Sequence, residues 1–224
     1  MKIYYHPVST TSRPLMLFAQ ENGLDIDFQV VDLMKGEHYQ PPFVTMNPNR
    51  LVPVLVDGDF TLTESSAILK YLADKIDSPA YPKDLKKRAK VNEVLDWTNT
   101  QLCRDLAYGL VYPQIFPTHK RPSDEQQKGT LAWAKERAQY WMKVLDEHII
   151  GPKKSYLAGD ELTIADYYGA AFVGLAEAIR CDFKAYPNVT RWLDGMKKMK
   201  SWNKVHEVFY GFAGSMKEQP FEAL

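Results

Sequence analysis

Glu64 and Ser65 stand where a chain can do chemistry. They open an amphipathic run that the pattern predicts as a helix over residues 65–76. A helix start carries unpaired backbone N–H groups and a partial positive charge, and both suit a carboxylate ligand. Shortly before, Val52-Pro53-Val54-Leu55-Val56 predicts a β-branched strand preceded by a proline. A proline has no N–H, so the backbone beside it is left free to pair with something extended. Together these features describe a socket for a small acidic peptide. Far off in sequence, Ser9 lies between a predicted strand at 2–5 and a predicted helix at 12–22. Its hydroxyl and the helix N-terminus can point at one place. An isolated serine in such a turn also reads as a cap, for which Ser12 is the more natural residue. Tyr5 is the rival hydroxyl, although it also reads as a packing residue beneath the site. Thr10 and Thr11 could substitute for Ser9 in part.

Several stretches agree on a family. Val52-Pro53 with Thr63-Glu64-Ser65-x-Ala67-Ile68 resembles the glutathione-binding half of the cytosolic glutathione transferases. Tyr4-Tyr5-His6-Pro7-Val8-Ser9-Thr10-Thr11-Ser12-Arg13 is similar to the catalytic-serine segment of their theta and delta classes. The spacing from Ser9 and Arg13 to His38, Asn47-Pro48, Val52-Pro53 and Glu64-Ser65 fits those classes without gaps. Tyr81-Pro82-Lys83-Asp84-Leu85-x-x-Arg88-Ala89-x-Val91 resembles the theta linker, and Gly159-Asp160-x-Leu162-Thr163-Ile164-Ala165-Asp166 the family's helix-cap motif. The resemblance spans nearly the whole chain. It implies a thioredoxin-like N-terminal domain with a mixed four-stranded sheet, followed by an all-helical domain. It also implies glutathione as co-substrate and a homodimer.

The resemblance gives Ser9 the catalytic role, and elementary energetics allow it. A thiol of ordinary pKa, about 8–9, is only a few per cent ionised at neutral pH, and the thiolate is the nucleophile. Lowering that pKa by about two units requires about 2.7 kcal/mol of preferential thiolate stabilisation. One charge-assisted hydrogen bond supplies about 1.5–3 kcal/mol. A nearby helix N-terminus adds up to about 1 kcal/mol. Other classes use a tyrosine at the end of the first strand, which keeps Tyr5 in view. Glu64 would pair with the γ-glutamyl amine, Ser65 with the adjoining carboxylate, and the Val52 backbone with the cysteinyl unit. Pro53 is expected to be cis. His38 and Arg50 would meet the glycine carboxylate. Ser66 departs from the delta pattern, which has arginine there, and favours the theta side.

The second substrate should lie against the helical part. Tyr108, Tyr112 and Phe116 recur at spacing four and could line a pocket for an apolar electrophile. They and Trp97 lie on or near one long helix that Pro113 would bend. Core packing is the competing reading for each. Phe209-Tyr210-Gly211-Phe212 and Met216 are candidates for a flap over the pocket. By resemblance, Arg104 is a basic residue close to the thiolate.

Composition narrows the classes. The chain has 224 residues, 45% hydrophobic and 25% charged, ordinary for a protein with a proper core. Lys plus Arg and Asp plus Glu number 28 each, so the net charge is zero, whereas a nucleic-acid binder carries a basic surplus. The run Lys86-Lys87-Arg88-x-Lys90 reads as a solvated helix face. Two cysteines, Cys103 and Cys181, form no CxxC, which argues against a disulfide framework, a structural zinc site and a redox pair. No signal peptide is visible and no apolar stretch reaches membrane-spanning length. No metal and no membrane partner are expected, and a reducing cytoplasm is the expected compartment.

Strand, helix and strand across residues 2–32 imply a parallel pair with a right-handed crossover. A hairpin at 54–62 and the helix at 65–76 complete an α/β domain over residues 1–78. Asp77-Ser78-Pro79-Ala80-Tyr81-Pro82 interrupts both periodicities, giving a linker at 79–84. Residues 85–224 carry helical patterning only, including the stripe Leu131, Ala134, Ala138, Trp141, Leu145. The expected function is conjugation of glutathione to small apolar electrophiles. The alternatives are a glutathione-dependent peroxidase or dehalogenase on the same fold, or a non-catalytic glutathione-binding protein. A disulfide reductase would carry a cysteine in place of Ser9.

Overall fold

A computed structural model describes all 224 residues. The chain begins with β1 (Lys2–Tyr5), α1 (Arg13–Glu21) and β2 (Asp27–Val30), with β1 and β2 parallel and Ile3 opposite Phe28. A 3-10 turn at Glu37–Tyr39 and a short α2 (Phe43–Met46) lead to β3 (Val54–Asp57) and β4 (Phe60–Leu62). β3 runs antiparallel to both β1 and β4, and the sheet order is β2-β1-β3-β4. The central strands meet in the core at Ile3 and Leu55, which pair with each other and are fully buried. Gly58 makes the hairpin turn at φ 64°, a conformation that favours glycine.

Helix α1 starts at a site-forming turn and stops by rule. Pro14 sits in its first turn, where a missing N–H costs nothing. At its end Leu24 N–H donates to the Ala19 carbonyl at 2.9 Å and Gly23 N–H to that of Gln20 at 3.3 Å, with Gly23 at φ 63°. This doubly bonded closure satisfies the last carbonyls. Ser12, expected as the cap, makes no side-chain cap bond. It is already wound in the helical conformation, so its hydroxyl turns back to accept from His6 N–H.

Helix α3 (Ser65–Lys75) closes the sheet-containing half. Residues 76–84 form neither helix nor strand. α4 (Leu85–Trp97) then starts with the Asp84 carboxylate accepting Lys87 N–H at 2.9 Å. The same helix continues as a π-wound stretch, Thr98–Val111, and ends as α5 (Tyr112–Ile115). The irregularity therefore begins well before Pro113. α6 (Asp124–Val144) continues into a second π-wound segment, Leu145–Ile150. Ala134, Ala138 and Leu145 of the apolar stripe are buried, and Trp141 is half-buried, with its indole N–H on the Asp105 carboxylate at 2.6 Å. α7 (Ile164–Leu175) opens with a capping box between Thr163 and Asp166 and is buried throughout. α8 (Pro187–Lys197) and α9 (Trp202–Ser215) complete the chain's helices.

One apolar cluster of 50 buried residues runs through both halves. Phe18 of α1 meets Tyr167 of α7 edge-on at 5.4 Å, and Ile164 N–H bonds the Ala80 carbonyl at 2.9 Å. Three of the four cations in the basic run at 86–90 are spent on ion pairs, Lys87 with Glu161, Arg88 with Asp74 and Lys90 with Glu93. Cys103 and Cys181 are both buried and unpaired. No helix is long and apolar enough to cross a membrane.

Candidate active site

A cleft opens between the sheet-bearing half and the long π-wound helix. Its floor and near wall come from Thr11, from the segment around Val52 and Pro53, and from Thr63, Glu64 and Ser65. Its far wall comes from Asn99, Cys103 and Tyr108 of the π-wound helix and Tyr168 of α7.

Ser9 sits in the turn that feeds α1. The Ser12 and Arg13 N–H groups bond its carbonyl at 3.2 Å, and Ser12 N–H also reaches its Oγ at 3.3 Å. Ser9 Oγ is 3.0 Å from Thr11 Oγ1, and Thr11 Oγ1 donates to the Val52 carbonyl at 2.9 Å. Thr11 rather than Ser9 lines the cleft, so the serine stands one hydroxyl behind it. Tyr5 is turned elsewhere. Its ring packs edge-on against Phe28 at 5.2 Å, and burial pushes its pKa up.

The Val52–Pro53 peptide is cis, and so is Pro41–Pro42. The loop before Val52 is pinned by Asn47, whose side-chain amide donates to the Leu51 carbonyl at 2.8 Å and accepts from Asn49 N–H at 3.1 Å. Asn47, Asn49 and Leu51 thereby join the cleft lining. Arg50 stands between them, exposed, with its guanidinium 5.6 Å over the Tyr39 ring. His38 packs its ring 3.9 Å from the same tyrosine. His38 and Arg50 thus share one aromatic partner, and neither is part of the cleft lining. Burial lowers the His38 pKa, and its Nδ1 is buried without a partner.

Glu64 precedes α3 at φ 65° and ψ 109°, a left-handed conformation that a glutamate rarely adopts. Ile68 N–H is bonded to the Glu64 carbonyl at 2.9 Å. The N–H groups of Ser65, Ser66 and Ala67 lie ahead of that first intrahelical bond and face outward. Glu64 itself is exposed, and Ser65 is buried at the rim.

On the far wall Tyr168 donates its hydroxyl to the Asn99 amide oxygen at 3.2 Å. Burial, and then the neighbouring Cys103 and Glu64, raise the Tyr108 pKa, so its phenol remains a donor at neutral pH. Burial pushes the Cys103 thiol up to about 12, which leaves it a neutral, unreactive wall group. Of the aromatic series, Tyr108 reaches the cleft. Tyr112 follows it at 5.0 Å and Phe116 follows Tyr112 at 5.4 Å, away from the lining. Phe116 stacks on Phe212 of α9 at 5.8 Å, whereas Phe209 is buried beneath the Arg13 guanidinium. The C-terminal segment is fastened to the helices, with Glu222 N–H donating to Gln114 at 2.8 Å. Arg104 lies outside the lining because Asp105 holds its guanidinium at 2.9 Å.

A larger hollow of about 370 Å³ opens on another face, between Tyr140, Lys143, Glu147 and Tyr186. Its buried carboxylate, Asp146, is already spent on the N–H groups of Asn188 and Val189 at the start of α8. No group of three or more His, Cys, Asp or Glu is placed to hold a metal.

A four-stranded mixed sheet with this cleft, backed by a helical half, is the architecture of glutathione S-transferases. The chain matches the glutathione S-transferase N-terminal domain over residues 1–74 and the C-terminal domain over residues 105–199. Human glutathione S-transferase theta-1 is 33% identical over 195 residues, 86% of this chain and 80% of that protein. A delta-class glutathione transferase of Nilaparvata lugens superposes with a TM-score of 0.80 at 34% identity, covering 96% of this chain and 98% of that one. Apo human glutathione-S-transferase T1-1 superposes with a TM-score of 0.82 at 29% identity, covering 99% and 92%. The chain belongs to the glutathione S-transferase family and is an enzyme of that class.

Proposed function

We propose that this enzyme binds glutathione along the cleft, holds the sulfur as a thiolate with the Ser9 hydroxyl, and transfers it to small apolar electrophiles. One observation carries the reading. Thr11, with the Ser9 hydroxyl bonded directly behind it, the Val52 backbone and the α3 N-terminus converge on a single cleft. The γ-glutamyl carboxylate takes the Ser65 hydroxyl and the first N–H groups of α3, and Glu64 takes the amine. The cysteinyl backbone pairs with Val52 as an added strand. His38 and Arg50 meet the glycine carboxylate, His38 as a neutral donor and Arg50 as the charge. The electrophile sits against Tyr108, with Tyr112 and Phe116 stiffening the aromatic wall behind it. With an alkyl halide the sulfur–carbon bond forms as the carbon–halogen bond breaks; with an activated aryl halide the sulfur adds first, and halide then leaves with the electron pair. Proximity supplies most of the remaining acceleration.

A detoxifying role in a reducing cytoplasm follows from this chemistry and suits two unpaired cysteines. Trp133 and Tyr140 are exposed on α6, seven residues apart, and support a homodimer in which a second copy covers them.

Replacement of Ser9 by Ala tests the assignment. The turnover of chlorodinitrobenzene should fall at least about tenfold, while the dissociation constant for glutathione changes little. Loss of turnover in Tyr5→Phe with Ser9→Ala unaffected would assign the role to the other hydroxyl. Turnover of cumene hydroperoxide in place of chlorodinitrobenzene would point to a peroxidase. Retention on immobilised glutathione with no turnover of either would point to a binding protein.

A further inference from the structure

We propose that Thr11 is a positioning residue. Resting on the Ser9 reading, it ties the carbonyl that registers the tripeptide backbone to the hydroxyl that meets the sulfur.

The proton count fixes the direction of the contacts. A threonine hydroxyl has one proton, and a carbonyl has none. The bond from Thr11 Oγ1 to the Val52 carbonyl, 2.9 Å long, therefore consumes the Thr11 proton. The 3.0 Å contact between Ser9 Oγ and Thr11 Oγ1 must then be donated by Ser9. Ser9 Oγ in turn accepts Ser12 N–H at 3.3 Å, at the start of α1. The chain of donors runs from Ser12 N–H to Ser9, from Ser9 to Thr11, and from Thr11 to Val52. It joins the α1 turn to the segment that precedes β3 across 41 residues of sequence.

This arrangement does two things for the reaction. First, the Val52 carbonyl has a second lone pair, which can accept the cysteinyl N–H while Thr11 stays in place. The point where the ligand backbone is registered and the turn that carries Ser9 are then held at a fixed separation. Second, the Ser9 proton is parked on a neutral oxygen on the cleft wall. A thiolate is the stronger acceptor, since charge-assisted bonds are roughly twice as strong as neutral ones. Arrival of the sulfur turns the Ser9 O–H from Thr11 to the thiolate by rotation about one bond, and Thr11 keeps its own bond to Val52. The Ser9 oxygen is thus held in place before the ligand binds, and only its proton has to reorient.

Thr11→Val keeps the shape and deletes both bonds, and Thr11→Ser keeps both. The ultraviolet absorbance of the thiolate, titrated in glutathione-saturated protein, reads the pKa of the bound sulfur. In Thr11→Val that pKa should rise by about one unit, a tenfold effect, with kcat lowered and KM for glutathione changed less. Thr11→Ser should restore both to within about threefold. A role confined to stability would lower the melting temperature and leave the titration in place. An unchanged titration and kcat in Thr11→Val overturns the proposal, as does a loss that Thr11→Ser fails to restore. The same titration on Ser9→Ala separates the two readings. If Ser9→Ala raises the sulfur pKa and Thr11→Val does not, Thr11 alone is misassigned. If Thr11→Val raises it and Ser9→Ala does not, the Ser9 reading falls and the positioning role with it.

Discussion

Glu64 pays for its position: at φ 65° and ψ 109° a non-glycine backbone is strained by about 1–3 kcal/mol, and such strain persists where function holds it. The conformation lets a carboxylate stand at the cleft rim while the next residue already begins α3. Glycine tolerates positive φ far better. Glu64→Gly should therefore raise stability by about 1 kcal/mol, or about 2–4 °C in melting temperature for a chain of this length. It should also weaken glutathione binding by at least about tenfold, because the amine loses its anion. Calorimetry and a binding titration on one preparation check both. A stabilised variant that binds glutathione as the parent does would remove Glu64 from the site. At this scale the sequence was legible where residue type and local element coincide, as in Glu64-Ser65 at a helix start. It was less so at Ser9, because which hydroxyl of Ser9-Thr10-Thr11 faces the cleft depends on a bond to Val52, 41 residues away from Thr11.

Helix 98–111 decides how the two walls of the cleft meet. It packs so closely on α6 that a Cβ at Gly109 would lie 2.7 Å from the Ala134 Cβ. Gly109→Ala should force the helices apart at a cost of about 1–3 kcal/mol, which is a lower melting temperature with an unchanged far-ultraviolet circular dichroism spectrum. A variant as stable as the parent would mean that the two helices have room to spare. The π winding of this helix also explains what the sequence hid. Apolar and aromatic residues at spacing four suggested Tyr108, Tyr112 and Phe116 as one face. A π-wound turn brings residues five apart into line, so Tyr108 shares the cleft wall with Cys103, while Tyr112 lies outside the lining and Phe116 turns toward Phe212. Tyr168 arrives from α7, a neighbour in space that no local pattern could supply. The strands, the hairpin, α1, α3 and the Thr163–Asp166 cap were readable because each rests on local periodicity or a cap within a few residues.

Over the whole molecule, the two halves are joined by a buried polar seam as well as by the common core. Arg13 of α1 lies 3.8 Å over the Phe209 ring of α9, and burial lowers its pKa to about 10. His206 stacks on Trp202 at 3.8 Å and bonds the Trp202 carbonyl at 2.9 Å. Burial, then the Arg13 and Lys197 charges, push its pKa down to about 3. The unfolded chain takes up this proton near pH 6.5, whereas the folded chain refuses it until about pH 3. The unfolded state therefore binds more protons in that window. Stability is complete above about pH 6.5 and falls on acidification, by up to about 1.4 kcal/mol per pH unit from this group. His206→Phe keeps the stacking and removes the proton. Urea midpoints at pH 7 and pH 5 should converge in the variant relative to the parent, and equal pH dependence in both would place the acid sensitivity elsewhere.

The most direct measurement of the central claim is the thiolate absorbance of bound glutathione followed from pH 5 to pH 10 in the parent enzyme and in Ser9→Ala. We predict ionisation about two units below the free thiol in the parent, and a return toward the free value in the variant. Identical titrations in the two proteins would contradict a serine-held thiolate.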